Sequence, residues 1–236
     1  MYGSRRIQAQ LKREGIFISR DRVRRLMKEL DIQGAMPAKK SKPITTTSDK
    51  DGKYPPDQVK RQFYASAPNQ LWVSDITYVR TLVGWCYVAL ITDLFSKKIV
   101  GFMVSDQCDT KLVLGALCMA IGNAGSCKGL VHHSDRGSQY FSLKYTDMLN
   151  ENLVIQSTGI TGCSFDNAAA ESTNSRYKAE LIHNKNRPIA FRDYSHVEDE
   201  TAKYISWWNN RRIQERLGFI TPQEFIDNYY NSQEVA

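Results

Sequence analysis

The sequence predicts a mixed α/β sheet with a small helical unit in front of it. Three observations lead there. First, β-branched and aromatic runs follow one another closely at residues 72–79, 85–92 and 98–104. Gly84 sits in the first connection and a polar stretch, residues 93–97, in the second, which is the pattern of two successive antiparallel pairings. Second, helical and strand-like periods then alternate: helix over 110–124, strand over 130–133, helix over 142–150, strand over 153–157, and a long helix from about 167 to 183. That order belongs to a sheet in which later strands are separated by helices. Third, nothing before residue 70 has a strand period.

The elements can be justified in turn. Residues 4–14 place Ile7 and Leu11 on one helical face, Gly15 breaks the pattern, and Ser19 is suited to cap a second helix reaching about Leu30. Val23, Leu26, Met27 and Leu30 have helical spacing there, while Arg20, Arg22, Arg24 and Arg25 face elsewhere. Two short helices around a turn, the second rich in arginine, form a helix-turn-helix-like unit over residues 1–33 whose arginines are suited to DNA. Residues 34–68 read as a linker with Pro37, Pro43, Pro55, Pro56 and Pro68. The sheet domain with its C-terminal helices spans 69–227, and 228–236 reads as a tail. Within it, Leu112, Val113, Ala116, Leu117, Ala120 and Ile121 face inward from one helix, and Val197, Thr201, Ile205 and Trp208 from another. Thr221-Pro222-Gln223-Glu224 joins a capping box to a proline at the first helical position, so a last helix begins there.

Composition bounds the function. The chain has 236 residues and a net charge of +7. Residues 1–42 carry +8 of it, leaving −1 for the remainder, so a polyanion meets the N-terminal segment first. No apolar run approaches the roughly 18 residues of a membrane span, and the first residues lack a secretory apolar stretch. The expected place of action is the cytoplasm, at the nucleoid when bound to DNA. Five scattered cysteines form no CxxC pair, which argues against zinc and suits a reducing compartment.

Three acidic residues stand out by location. Asp75 lies inside an otherwise apolar strand, Asp135 just past a second strand, and Glu171 beside Ala168-Ala169-Ala170 near the start of the long helix. Unpaired carboxylates in such places need a cation, hydrogen bonds or solvent. Two-metal phosphoryl transfer uses three carboxylates in this way, with magnesium retaining several waters. The other residues nearby have plainer readings. His133 and Gln139 flank Asp135, but a histidine at a strand end is more often structural. Asp166 or Asn167 can cap the long helix, and Asp93 can fix the 93–97 turn. A nucleophilic set of Ser134, His133 and Asp135 requires adjacent residues to converge, which they rarely do.

The flanking residues are more specific than the spacing. Trp72-Val73-Ser74-Asp75-Ile76-Thr77-Tyr78, His132-His133-Ser134-Asp135-Arg136-Gly137-Ser138-Gln139-Tyr140 and Asp166-Asn167-Ala168-Ala169-Ala170-Glu171-Ser172 together resemble bacterial insertion-sequence transposases of the DDE class, related to retroviral-type integrases. The resemblance covers nearly the whole chain. It implies a ribonuclease-H-like core with Asp75, Asp135 and Glu171 holding Mg2+, with Mn2+ as a substitute. It also implies a metal-dependent cut at the element end that frees a 3′-hydroxyl, followed by strand transfer. Lys178 stands where the family has a basic residue seven positions after the glutamate. Seven helical residues turn through about 700°, which puts Lys178 on the Glu171 face to hold a phosphate. Arg211 and Arg212 are further phosphate contacts in a segment where the family usually has histidine at the position of Gln214.

Relatives usually carry more sequence before Tyr2, including a supporting helix, so the resemblance implies a shortened N-terminal unit. The expected partners are the element's terminal repeats, target DNA, further copies of the chain, and the helix-turn-helix product of an upstream frame. The alternative is a catalytically silent remnant that occupies element ends.

Overall fold

A computed structural model describes residues 2–35, 54–159, 167–185 and 188–234. Helices α1 (Ser4–Arg13) and α2 (Arg20–Glu29) form the N-terminal unit. Ser19 caps α2 by accepting a hydrogen bond from the Arg22 N–H, and Gly15 takes the left-handed conformation needed to turn between them. Of the apolar stripe expected on α2, only Val23 is buried; Leu26 and Leu30 stay exposed. Two ten-residue helices cannot enclose a core of their own. They lean instead on the far end of the chain. The Tyr2 hydroxyl donates to the Arg211 carbonyl and accepts from the Ile213 N–H, Arg5 pairs with Glu215 at 2.9 Å, and Arg13 pairs with Glu224.

Strands β1 (Leu71–Thr81), β2 (Gly84–Asp93) and β3 (Ile99–Ser105) form the antiparallel meander. β4 (Val131–Ser134) and β5 (Ile155–Thr158) add to it in parallel, giving the order β3-β2-β1-β4-β5. The long β1 is therefore the middle strand. On one face of the sheet lie α3 (Thr110–Ala124) and α4 (Leu143–Glu151), where Leu112, Leu117, Tyr145 and Leu149 close over Trp72 and Ala89. On the other lie α5 (Ala168–Tyr177) and α6 (Tyr194–Asn210), with Tyr177, Val197 and Trp208 against Val79 and Val88. Both expected inward faces are observed. Five of the six α3 positions are fully buried with Ile121 partly so, and Val197, Thr201, Ile205 and Trp208 are all buried.

Three expectations change. The long helix does not stay α-helical to residue 183: from Lys178 to Ile182 it widens into a π turn, a distortion common at functional positions. The second half of the proline-rich stretch is no linker. Val59 and Ala65 are buried against Leu71, Val73 and Leu94, and the Pro55 carbonyl accepts from Thr158 Oγ1 at 2.8 Å. Aperiodic burial of this kind leaves no pattern in the sequence. Residues 36–53 lie outside the described residues. Finally, the tail is helical, because α7 (Pro222–Glu234) runs through most of it with Tyr229 edge-on to Phe95. The capping box that starts α7 is reciprocal: the Glu224 N–H donates to Thr221 Oγ1 and the Thr221 N–H to Glu224 Oε2. No helix among the described residues is long and apolar enough to cross a membrane.

Candidate active site

Alternation along β1 decides which way Asp75 faces. It shares a side with Val73 and Val79, and these pack against Ala170 and Tyr177 of α5. Asp75 therefore lies between two apolar contacts, under the helix that carries Glu171. The parallel register pairs Leu71 with Val131, Trp72 with His132 and Val73 with His133. Asp75 and Asp135 each follow two residues after the last of these pairs, and the Asp135 charge acts on Asp75.

A hydrogen-bonded loop holds Asp135 in place. Its Oδ1 accepts from the Gly137 N–H at 3.0 Å, and the buried Tyr140 hydroxyl bonds Ser74 Oγ on β1. Gly137 lets the loop pass close to these side chains. A Cβ there would stand 3.1 Å from Asp135 Oδ1 and 2.9 Å from Gln139 Oε1.

The electrostatics are those of an uncompensated acidic group. Burial pushes the Asp75 pKa up to about 7, the charges of Asp135 and Glu171 push the same way, and the hydrogen bond from Asn174 opposes them. Asp135 is raised by burial too, with Glu171 adding to it. Asn174, one turn after Glu171, donates from Nδ2 to Asp75 Oδ2 at 2.9 Å. Sequence reasoning missed this residue, although its i+3 spacing from Glu171 was the available signal. Lys178 sits 4.0 Å from the centre of the Tyr78 ring, and the Asp75 charge acts on it. Glu171, Asn174 and Lys178 thus present one face of α5 and its π turn toward Asp75.

Among the described residues, no three histidine, cysteine or acidic side chains are drawn together as a ready metal cage. Mutual repulsion gives a reason, and Asp75 and Asp135 are each held by a neighbouring N–H. The donor set nonetheless suits a hydrated hard cation. Asn167 Oδ1 and Asn174 Oδ1 are buried without a hydrogen-bond partner, and their side-chain nitrogens bond to Ser74 and Asp75 respectively. Two unmet acceptor oxygens beside three carboxylates match magnesium and its waters.

The other sequence candidates separate cleanly. His133 is fully buried and bonds Ser157 Oγ through Nδ1, while burial pushes His132 down to about 3, keeping it neutral. Ser134 Oγ donates to the Asp135 carbonyl, so no nucleophilic triad forms. Gln139 donates to the Cys108 carbonyl. Asp93 accepts from Asn69 and twice from Ser96, fixing its turn as expected. Asn167 occupies the N-cap position of α5 but makes no side-chain cap, and Asp166 lies outside the described residues. Arg20, Arg22, Arg24, Arg25 and Arg211 are exposed. Arg212 is a correction. It is 1% exposed, it stacks on Trp208, and its Nε and Nη2 donate to Glu180 at 2.8 and 2.6 Å. A guanidinium buried in this way is not available to a DNA backbone. Gln214 is buried too, with its Nε2 unpartnered.

A five-stranded mixed sheet with acidic residues on its middle strand, after the parallel neighbour and on the covering helix defines an integrase core of the ribonuclease-H-like class. The integrase core domain family matches residues 65–164 and, in a second model, 156–222; an HTH-like domain matches residues 1–40. The fold is shared with the magnesium-bound HTLV-2 integrase catalytic core domain (TM-score 0.53, 17% identity, 69% of this chain and 99% of that one). It is also shared with a chain of the simian T-cell lymphotropic virus intasome (TM-score 0.54, 16% identity, 88% and 66%). The chain is 46% identical over 232 residues to the transposase for insertion sequence element IS629 of Shigella sonnei, covering 98% of this chain and 76% of that protein. It is 38% identical over 239 residues to a putative transposase for IS986/IS6110 of Mycobacterium tuberculosis (99% and 84%). The chain belongs to the insertion-sequence transposases built on an integrase core domain.

Proposed function

We propose that this protein carries out the DNA strand chemistry of its element as a magnesium-dependent polynucleotidyl transferase, with Asp75, Asp135 and Glu171 as the metal-holding carboxylates. The observation that supports this reading is the placement of Asp75 on the middle strand beneath the Glu171 helix, hydrogen-bonded to Asn174 of that helix, with the Asp135 and Glu171 charges acting on it. Magnesium, when bound, supplies Lewis-acid polarisation of the phosphoryl oxygens and neutralises charge as it develops. Asn174 orients the Asp75 carboxylate by donating to Oδ2, while the Ile76 N–H donates to Oδ1 at 3.0 Å. Lys178, held over Tyr78, places a cation on the same face to position a phosphate.

Two in-line displacements follow. In the first, water attacks the phosphorus at the element end and the 3′-oxygen leaves as a hydroxyl. In the second, that hydroxyl attacks a target phosphodiester, one P–O bond replacing another. No side chain becomes covalently attached to DNA.

The exposed Arg20, Arg22, Arg24, Arg25 and Arg211 are the proposed backbone contacts; Arg212 is not among them. The two ends of an element must be joined in concert, so further copies of the chain and the upstream-frame product are proposed partners on DNA, in the cytoplasm. The test uses the full chain, a labelled duplex bearing the terminal repeat, and Mg2+ or Mn2+. Glu171→Gln is expected to lower strand transfer by about a thousandfold, equivalent to several kcal/mol of transition-state stabilisation, with duplex affinity within about twofold. Equal loss of binding and chemistry would overturn the assignment. Binding without chemistry in the unmodified chain, even with the upstream product added, would make it the silent remnant.

A further inference from the structure

A second polar site lies beyond the far end of α5. A cavity of about 480 Å3 is lined by Arg6, Arg176, Glu180, Arg212, Gln214 and Arg216. Arg6 comes from α1, Arg176 and Glu180 from α5 and its π turn, and the other three from the segment after α6, so three separate parts of the chain meet around it.

Its one interior carboxylate is already committed. Glu180 accepts two hydrogen bonds from Arg212 and one from Tyr204, and Arg6 Nη1 approaches it no closer than 3.5 Å. Glu215, on the rim, pairs with Arg5. The groups left over are all donors. Gln214 Nε2 is buried with no hydrogen-bond acceptor, Gln214 being 4% exposed, and Arg6 Nη1 has only its 3.5 Å ion pair with Glu180 and no hydrogen bond. Among the described residues, Arg176 and Arg216 form no ion pair. Burial lowers the pKa of both Arg6 and Arg176, and the neighbouring Arg212 cation lowers each further.

Unmet donors and crowded cations call for a ligand that only accepts and carries negative charge. Guanidinium groups with their planar forks suit tetrahedral phosphate oxygens. Arg216 is exposed, so one wall is reached from outside, as an oxygen on a continuing strand requires. We propose that this cavity is a phosphate-binding site that grips one phosphodiester of bound DNA, tying the N-terminal helical unit to the catalytic core while the DNA is engaged. The DNA half of this statement rests on the function proposed above; the phosphate half does not.

The test has two arms, both on the full chain. In the first, inorganic phosphate is titrated against chloride at constant ionic strength and thermal melting is followed. The unmodified protein is expected to gain melting temperature, and Arg176→Gln and Gln214→Met to lose that gain. Arg216→Gln, at an exposed position, removes a donor without opening the interior and guards against misfolding. In the second arm, affinity for a terminal-repeat duplex is measured against salt. The slope of log affinity on log salt is expected to shrink by about 1 in Arg176→Gln and in Arg216→Gln, the signature of one lost phosphate contact. A phosphate response equal in all proteins, or absent in all, would overturn the site. A response lost in the variants with an unchanged duplex slope would assign the cavity to free phosphate and overturn its DNA role. A chain that binds no duplex would sink the proposed function, while the first arm still decides whether the cavity takes phosphate.

Discussion

Asp75 faces α5 and Glu180 stands on the π turn that continues it, and the two carboxyl groups are solved in opposite ways. Burial raises Asp75 to about 7, and two further carboxylates add to the strain, against hydrogen bonds from Asn174 and the Ile76 N–H. Burial would raise Glu180 as well, but hydrogen bonds and charge from Arg212, then Arg6 and Tyr204, bring its pKa below the ordinary value. One region carries its counter-charge within the chain. The other leaves it to be supplied from solution. A buried carboxylate that is fully paired is structural, whereas a group of coupled carboxylates with unmet acceptor oxygens beside it marks a place for a cation.

Breaking the paired region should have the largest effect. Glu180→Gln leaves the Arg212 charge buried without its partner, and a loss of about 3–5 kcal/mol is expected in urea unfolding. The equivalent change at the other site, Asp75→Asn, is expected to leave metal-free stability equal or higher, because it removes a charge that burial, Asp135 and Glu171 all disfavour.

Metal sharpens the contrast. Magnesium at a hundredfold excess over its dissociation constant should stabilise the unmodified protein by about 2.7 kcal/mol and leave Asp75→Asn unmoved. The pH dependences run in opposite senses. Asp75 has a folded value above its unfolded one, so its contribution is complete below about pH 4 and is lost as pH rises through about 7. Magnesium should restore that loss. Glu180 has a folded value below its unfolded one, so its contribution is present above about pH 4.5 and is lost as pH falls through the folded value. Unfolding midpoints measured from pH 3 to 8, with and without magnesium, check both.

Smaller effects test the supports. Asn174→Ala removes the hydrogen bond that orients Asp75 and should raise the magnesium concentration for half-maximal activity by about tenfold. Unchanged metal dependence would reduce Asn174 to a packing residue. Thr221→Ala breaks one half of the α7 capping box and should cost about 1 kcal/mol of stability without altering metal dependence.

Much of this molecule was legible in advance because its signals are local. The meander is announced by strand period and turn residues, α3 by its apolar spacing, α7 by its capping box. Asp75, Asp135 and Glu171 stood out because each interrupts or ends an apolar element. Asn174 went unnoticed because an asparagine on a helix surface looks the same whether it faces solvent or a carboxylate. Arg212 was misread because charge in a sequence carries no record of depth. A surface arginine and one buried between Trp208 and Glu180 are written alike, and Glu180 stands 32 residues away from it.

By itself, then, the sequence determined the order of elements, the strand alternation that turns Asp75 toward α5, and the helical spacing that lines Glu171 up with Lys178. These follow from periods of two and 3.6 residues, which are properties of neighbouring positions. Tertiary structure decided the rest: the pairing of β1 with β4 that brings the Asp135 charge to bear on Asp75, the docking of α1 on the segment after α6, and which cations were neutralised and which left open. Those depend on contacts between residues far apart in the chain, and burial, which sets the worth of a charge, arises only when such contacts close.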